Sequence, residues 1–248
     1  MKRFSVLCIV VLIGACASQP QVARTPVDGG EQCYRESDKN RGVRLDLIRQ
    51  LVGEAQYHSA LAHLERENFE SEGAKFLRAE SLRKTGQLDS ALSAYRDLQR
   101  GCLSALGYLG SGKILAVQGK LEDALPQLKT ARDMLPTDAN IRNDYGFALL
   151  ASGDFKGAQQ EFVTAIQLEN HHPTAIRNLI LALILGGDTQ TAWAVAEHHR
   201  IPMEEFQGMM NRSSRFQKNL EKQRIARVLS SPDSGADRPI LVRQGAAL

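Results

Sequence analysis

Residues 107–113 read Gly-Tyr-Leu-Gly-Ser-Gly-Lys, the first seven positions of a phosphate-binding loop, in which glycine N–H groups close round a phosphate and the lysine reaches its oxygens. The context denies that chemistry. Ile114 stands where a hydroxyl must hold magnesium, no strand pattern precedes the run, and Gly112 has a packing role in the scheme below. The pairs His171-His172 and His198-His199 could gather at a metal, but their spacing fits no familiar site and no cysteine or carboxylate cluster joins them. An inter-repeat turn and a helix end explain them instead. Ser81 and Lys84 have the spacing of a penicillin-binding nucleophile without its companion motifs. No acid–base or nucleophile set stands together, so neither an enzyme, a metal site nor a small-molecule substrate is expected.

The cysteines carry different chemistry. Met1-Lys2-Arg3, an apolar run from Phe4 to Ile13 and Gly14-Ala15-Cys16 form a basic start, a core too short to span a bilayer and a small-residue cut site. Ile13-Gly14-Ala15-Cys16 resembles the bacterial lipobox, which implies residues 1–15 as a lipoprotein signal and Cys16 bearing a diacylglycerol and a fatty acid. An ordinary cleaved signal with a chance cysteine is the plainer alternative. Ala17 in place of aspartate after Cys16 implies, in a Gram-negative envelope, transfer to the outer membrane. Several acyl chains anchor firmly, since each buried methylene adds about 0.8 kcal/mol. Residues 16–40 are expected to be a lipidated, flexible tether, poor in core-forming side chains and marked by Pro20, Pro26, Gly29 and Gly30. Residues 230–248 are expected to be a disordered tail. Cys33 and Cys102 remain, an even pair suited to a disulfide in an exported chain or else two free thiols.

The net charge of +3 falls to +1 once Lys2 and Arg3 leave, so the basic balance gives no reason to expect nucleic acid. Arg212, Arg215, Lys218, Lys222, Arg224 and Arg227 face only Glu221, which makes either a solvated helix face or a contact for anionic headgroups or an acidic partner.

The elements that must position all these groups announce themselves by a repeat. Gly86, Gly119, Gly153 and Gly187 step by 33, 34 and 34 residues, each followed five positions later by Ala91, Ala124, Ala158 or Ala192. This period is the signature of the tetratricopeptide repeat, a helix-turn-helix unit stacked on the next. The expected fold is all-α, a right-handed TPR superhelix of about five repeats over 41–200, near 41–71, 72–104, 105–138, 139–172 and 173–200, with a capping helix over 201–229. The first repeat is degraded, and Ala55 replaces its turn glycine. Ala79, Gly112 and Gly146 in first helices oppose these evenly spaced alanines, so that two antiparallel helices approach closely; Ile180 breaks this series. Pro173 opens a first helix, and Asp154 and Asp188 can cap second helices.

First-helix positions on one face line the inner wall of such a stack. Phe76, Glu80, Arg83, Leu109, Lys113, Asn140, Asn143, Phe147, Arg177 and Leu181 fall there, a mixed lining suited to a peptide, with Asn143 and Arg177 free to take carbonyls or a carboxylate. Solvated framework is the plain alternative for each.

The stretch Ala175-Ile176-Arg177-Asn178-Leu179-Ile180-Leu181-Ala182-Leu183, then Gly186-Gly187, Ala192 and Ile201-Pro202-Met203-Glu204-Glu205, resembles the tight-adherence (Tad/Flp) pilus assembly lipoproteins of the TadD family, over roughly residues 40 to 220. Ile180 and Thr189 depart from that family's pattern. The resemblance implies a non-enzymatic periplasmic factor, anchored in the outer membrane, that binds or pilots the secretin of a pilus secretion apparatus. A type IV pilus pilotin, or an adaptor for peptidoglycan enzymes or outer-membrane protein assembly, would share the same architecture.

Overall fold

The structure is a computed structural model that describes residues 31–230. The signal, Cys16, residues 17–30 and the tail from 231 lie outside the described residues. A 3-10 turn, Glu31–Tyr34, precedes eleven α-helices among the described residues: α1 (Lys39–Gly53), α2 (Tyr57–Arg66), α3 (Glu72–Lys84), α4 (Leu88–Leu98), α5 (Ser104–Val117), α6 (Leu121–Met134), α7 (Ala139–Ser152), α8 (Phe155–Leu168), α9 (Pro173–Leu185), α10 (Thr189–His198) and α11 (Met203–Ser230). They form five antiparallel pairs, each touching the next, with α11 packed on α9. This is a TPR superhelix.

Glycine ends four of the first helices for a steric reason. Gly86, Gly119, Gly153 and Gly187 have φ of 83°, 76°, 91° and 88°, a region that a Cβ disfavours by about 1–2 kcal/mol. Ala55 makes the same turn at φ 59° in the degraded first pair. Caps then fix where helices begin. Asp154 and Asp188 accept the N–H of Gly157 and Thr191, and Ser71 and Asp138 do the same for α3 and α7. Leu103, before α5, has no such side chain; its own N–H donates to Glu72 Oε2 at 2.9 Å instead.

Close approach within and between pairs explains the phosphate-loop lookalike. Residues 107–113 lie inside α5, and a Cβ at Gly107 would stand 2.7 Å from the Tyr95 carbonyl oxygen of α4. At Gly112 it would stand 2.6 Å from Leu128 Cγ of α6. The glycines thus let α5 touch both neighbours, and no loop exists to wrap a phosphate.

Residues 31–40 do not belong to the tether. Cys33 is buried and joined to Cys102, with Cα atoms 6.1 Å apart. Glu36, also buried, accepts the N–H groups of Glu70 and Ser71, each at 3.0 Å, ahead of α3. Burial alone would raise the Glu36 pKa; the Ser71 hydroxyl, these two N–H groups and Arg41 reverse the sign and hold it below its ordinary value. The Tyr34 ring covers Gly73 so closely that a Cβ there would lie 2.1 Å from it, and the Arg49 guanidinium sits 4.5 Å from the ring centre. At the other end, Phe206 and Met209 of α11 bury against the α9–α10 pair, with Trp193 edge-on to Phe206 at 5.1 Å. Arg212, Arg215, Lys218 and Lys222 are exposed along α11. Among the described residues, no helix is long and apolar enough to cross a membrane.

Candidate functional site

The first helices α3, α5, α7 and α9 present one continuous inner wall, because each repeat places its first helix beside the next at the same register. Phe76, Glu80 and Arg83 from α3, Leu109 and Lys113 from α5, and Asn140 and Asn143 from α7 line a groove of about 400 Å³. Three other residues assigned to the wall lie outside it. Phe147 is exposed further along α7, Leu181 packs on the C-terminal core, and Arg177 donates through Nε to Glu205 Oε1 of α11 at 2.6 Å.

That ion pair ties the Arg177 guanidinium to the capping helix in the free protein. It is the last of three polar links that run from one first helix to the next and finally from α9 to the capping helix α11. Lys113 Nζ meets Asp144 Oδ2 at 2.6 Å, and Asn178 donates to Asn143 Oδ1 at 2.9 Å. The Asn143 carbonyl oxygen is therefore committed to α9, and only its amide nitrogen is left to face the groove.

A second cluster sits at the α3 end. Tyr95 Oη and Arg83 Nε both donate to Glu80 Oε2, at 2.5 Å and 3.0 Å, and Phe76 meets Tyr95 edge-on at 6.4 Å. Burial pushes the Glu80 carboxyl up, but the Arg83 hydrogen bond and charge together with the Tyr95 hydroxyl outweigh it, so its pKa lies below the ordinary value of 4.5. Burial and the Glu80 charge drive the Tyr95 pKa upward, which keeps its hydroxyl a donor. A depressed folded-state pKa contributes stability that is present above the unfolded value and is lost as pH falls through the folded one. The Glu80→Gln variant is accordingly expected to melt below the parent at neutral pH, with the gap closing as pH drops through and below the carboxylate range. Thermal melts of both proteins across that range check this.

Several lining residues lie off the first-helix positions that the repeat assigns to the wall. Tyr34 arrives from the segment ahead of the repeats, and Tyr95 reaches through from α4. His172, expected with His171 at an exposed turn, is instead 5% exposed and lines the groove. Its Nδ1 accepts the Ala175 N–H at 3.2 Å and caps α9, so the neutral ring carries its proton on Nε2. That donor is buried and, among the described residues, has no partner, a deficit of about 1–3 kcal/mol.

The other lookalikes come apart. Ser81 is fully buried in α3, whereas Lys84 is exposed with its ammonium 5.7 Å from the Tyr57 ring centre. The His198 and His199 rings meet edge-on at 4.9 Å; burial lowers the His199 pKa, and the charges of His198 and His171 add to this. Among the described residues, however, no three His, Cys, Asp or Glu groups are placed to hold a metal. A larger recess of about 790 Å³ between α4 and α6 has its Gln99 amide engaged by Ser111 and Gln127, and it presents mixed charge without convergent groups.

Paired helices closed by αL turns, stacked so that first helices form a common groove, define a tetratricopeptide-repeat protein, and the chain belongs to that family. The Tetratricopeptide repeat model matches residues 115–164. Over 200 residues the chain is 30% identical to the TPR repeat-containing protein PA4299 of Pseudomonas aeruginosa, an alignment that covers 81% of this chain and 79% of that relative. Solved structures share the fold at lower identity. MamA residues 41 to the end from Desulfovibrio magneticus RS-1 is 16% identical with a TM-score of 0.56, covering 67% of this chain and 96% of that one. TTC0263, a thermophilic TPR protein of Thermus thermophilus, is 23% identical with a TM-score of 0.55, covering 70% of this chain and 97% of that one. Proteins of this fold are generally non-enzymatic scaffolds that bind other proteins.

Proposed function

We propose that this chain is an outer-membrane lipoprotein, acylated on Cys16 and facing the periplasm, whose groove holds a subunit of a Tad/Flp (type IVb) pilus secretion apparatus, its secretin, during assembly. The observation that carries the scaffold part of this reading is the first-helix groove, with apolar Phe76 and Leu109 beside exposed Asn140. The export signal ending in Cys16 supports the anchor, and the resemblance over residues 40 to 220 supports the pilus system. The proposal needs no cofactor beyond the acyl chains.

A photoreactive residue at Asn140, which is exposed and lines the groove, is expected to crosslink the secretin in living cells. Deleting the gene is expected to reduce secretin multimers and surface pili together. Crosslinking to a peptidoglycan hydrolase instead, or unchanged pili after deletion, would refute the assignment. Fatty-acid labelling that persists in a Cys16→Ala variant would refute the anchor.

A further inference from the structure

The charged groups that line the groove already have partners: Glu80 with Arg83 and Tyr95, Lys113 with Asp144, Asp138 with the Ile141 N–H. A charged ligand would have to break one of these sets and strand its partner in a half-buried wall. Of the described side-chain atoms that are buried without a partner, the His172 Nε2 alone belongs to a residue lining the groove. Beside it in the wall, Asn140 and Thr174 are exposed, and among the described residues their side chains make no hydrogen bond.

We propose that the groove takes the main chain of an uncharged, extended polypeptide segment, with the Nε2–H of His172 donating to one of its carbonyl oxygens. This rests on the protein-binding role of the groove but not on the identity of the pilus partner. A helical ligand suits the donor poorly, since a helix satisfies its own carbonyls everywhere but in its last turn. An extended segment keeps its carbonyls free and sends alternate side chains to one side, here toward Phe76, Leu106 and Leu109. Nε2 is shielded in the free protein, so a carbonyl reaches it only by displacing a neighbour; Thr174 and Asn140, which line the same groove, lose no described hydrogen bond by moving.

The test uses an array of short N-acetylated, C-amidated peptides, with lysine- and glutamate-containing members for comparison, probed with the folded protein. Uncharged members are expected to bind best, with affinity nearly constant between about 0.05 and 0.5 M salt, where screening would weaken an ionic contact. His172→Asn keeps an N-cap for α9 but removes the Nε2–H, and should weaken the best peptide about three- to tenfold with no matching loss in melting temperature. In the parent protein the Nε2–H proton resonance should move downfield on binding. Capture of charged or helical peptides, steep salt dependence, or equal affinity in His172→Asn overturns this inference alone. Failure of every peptide to bind the folded protein overturns the protein-binding reading of the groove as well.

Discussion

Reduction of the Cys33–Cys102 bridge is expected to lower the melting temperature by about 10 °C, the equivalent of about 4 kcal/mol for a domain of this size. The two cysteines are 69 residues apart in sequence, so the bond closes a long loop that spans α1 to α4. A long loop removes much of the freedom of the unfolded chain, which is where the loop-entropy account places the stabilisation. The folded segment keeps other attachments after reduction, through Glu36 on the α3 start and Tyr34 over Gly73. The groove wall should therefore loosen at its α3 end before the stack melts. Thermal melts with and without a thiol reductant measure the effect. A Cys33→Ser, Cys102→Ser double variant should already melt at the reduced value and show no further response. Equal melting temperatures in all cases would reject the bridge as a stabilising element.

The Phe162→Ala variant is expected to lose about 3–5 kcal/mol. Phe162 is fully buried where α7 crosses α8, and its ring occupies the place that Gly146 leaves open: a Cβ on Gly146 would stand 2.8 Å from Phe162 Cε1. Truncation removes the ring from the C-terminal core shared with Ile180 and Ala192 and leaves a void that two rigid helices cannot close. Phe162→Leu keeps most of the volume and should lose far less. Urea titration reads the loss as a lower midpoint at unchanged slope. Because each repeat contacts only its neighbours, hydrogen exchange should speed up first in α7 to α9 and last in α1 and α2.

The repeat made most of this architecture legible in advance. Turn glycines 33 or 34 residues apart located four of the five pairs, and Ala55 in place of a glycine marked the turn of the degraded first one. Glycine spacing also separated helix contact from phosphate chemistry at 107–113, since Gly112 falls at the contact position of its repeat. The groove was less legible. A helical wheel places Lys113, Asn143 and Arg177 on the inner face, but whether such a residue meets a ligand or the next first helix depends on how steeply the repeats coil. Here each finds a partner, Asp144, Asn178 or Glu205, in the following first helix or α11. Tyr34 had no signal, because it lies ahead of the repeat period. His172 had one: it stands 34 residues after the cap Asp138 and directly before Pro173 at the start of α9.

The links from Lys113 to Asp144, Asn143 to Asn178 and Arg177 to Glu205 lie along the concave side of the coil, one at each junction from α5 through α7 and α9 to α11. A solenoid behaves as a spring, and these cross-ties act on the side that must stretch when it unwinds. Its pitch is then stiffest where a partner would rest, so little ordering entropy remains to be lost on docking. Cutting the ties would yield a softer coil that still folds, with a looser grip on whatever it carries.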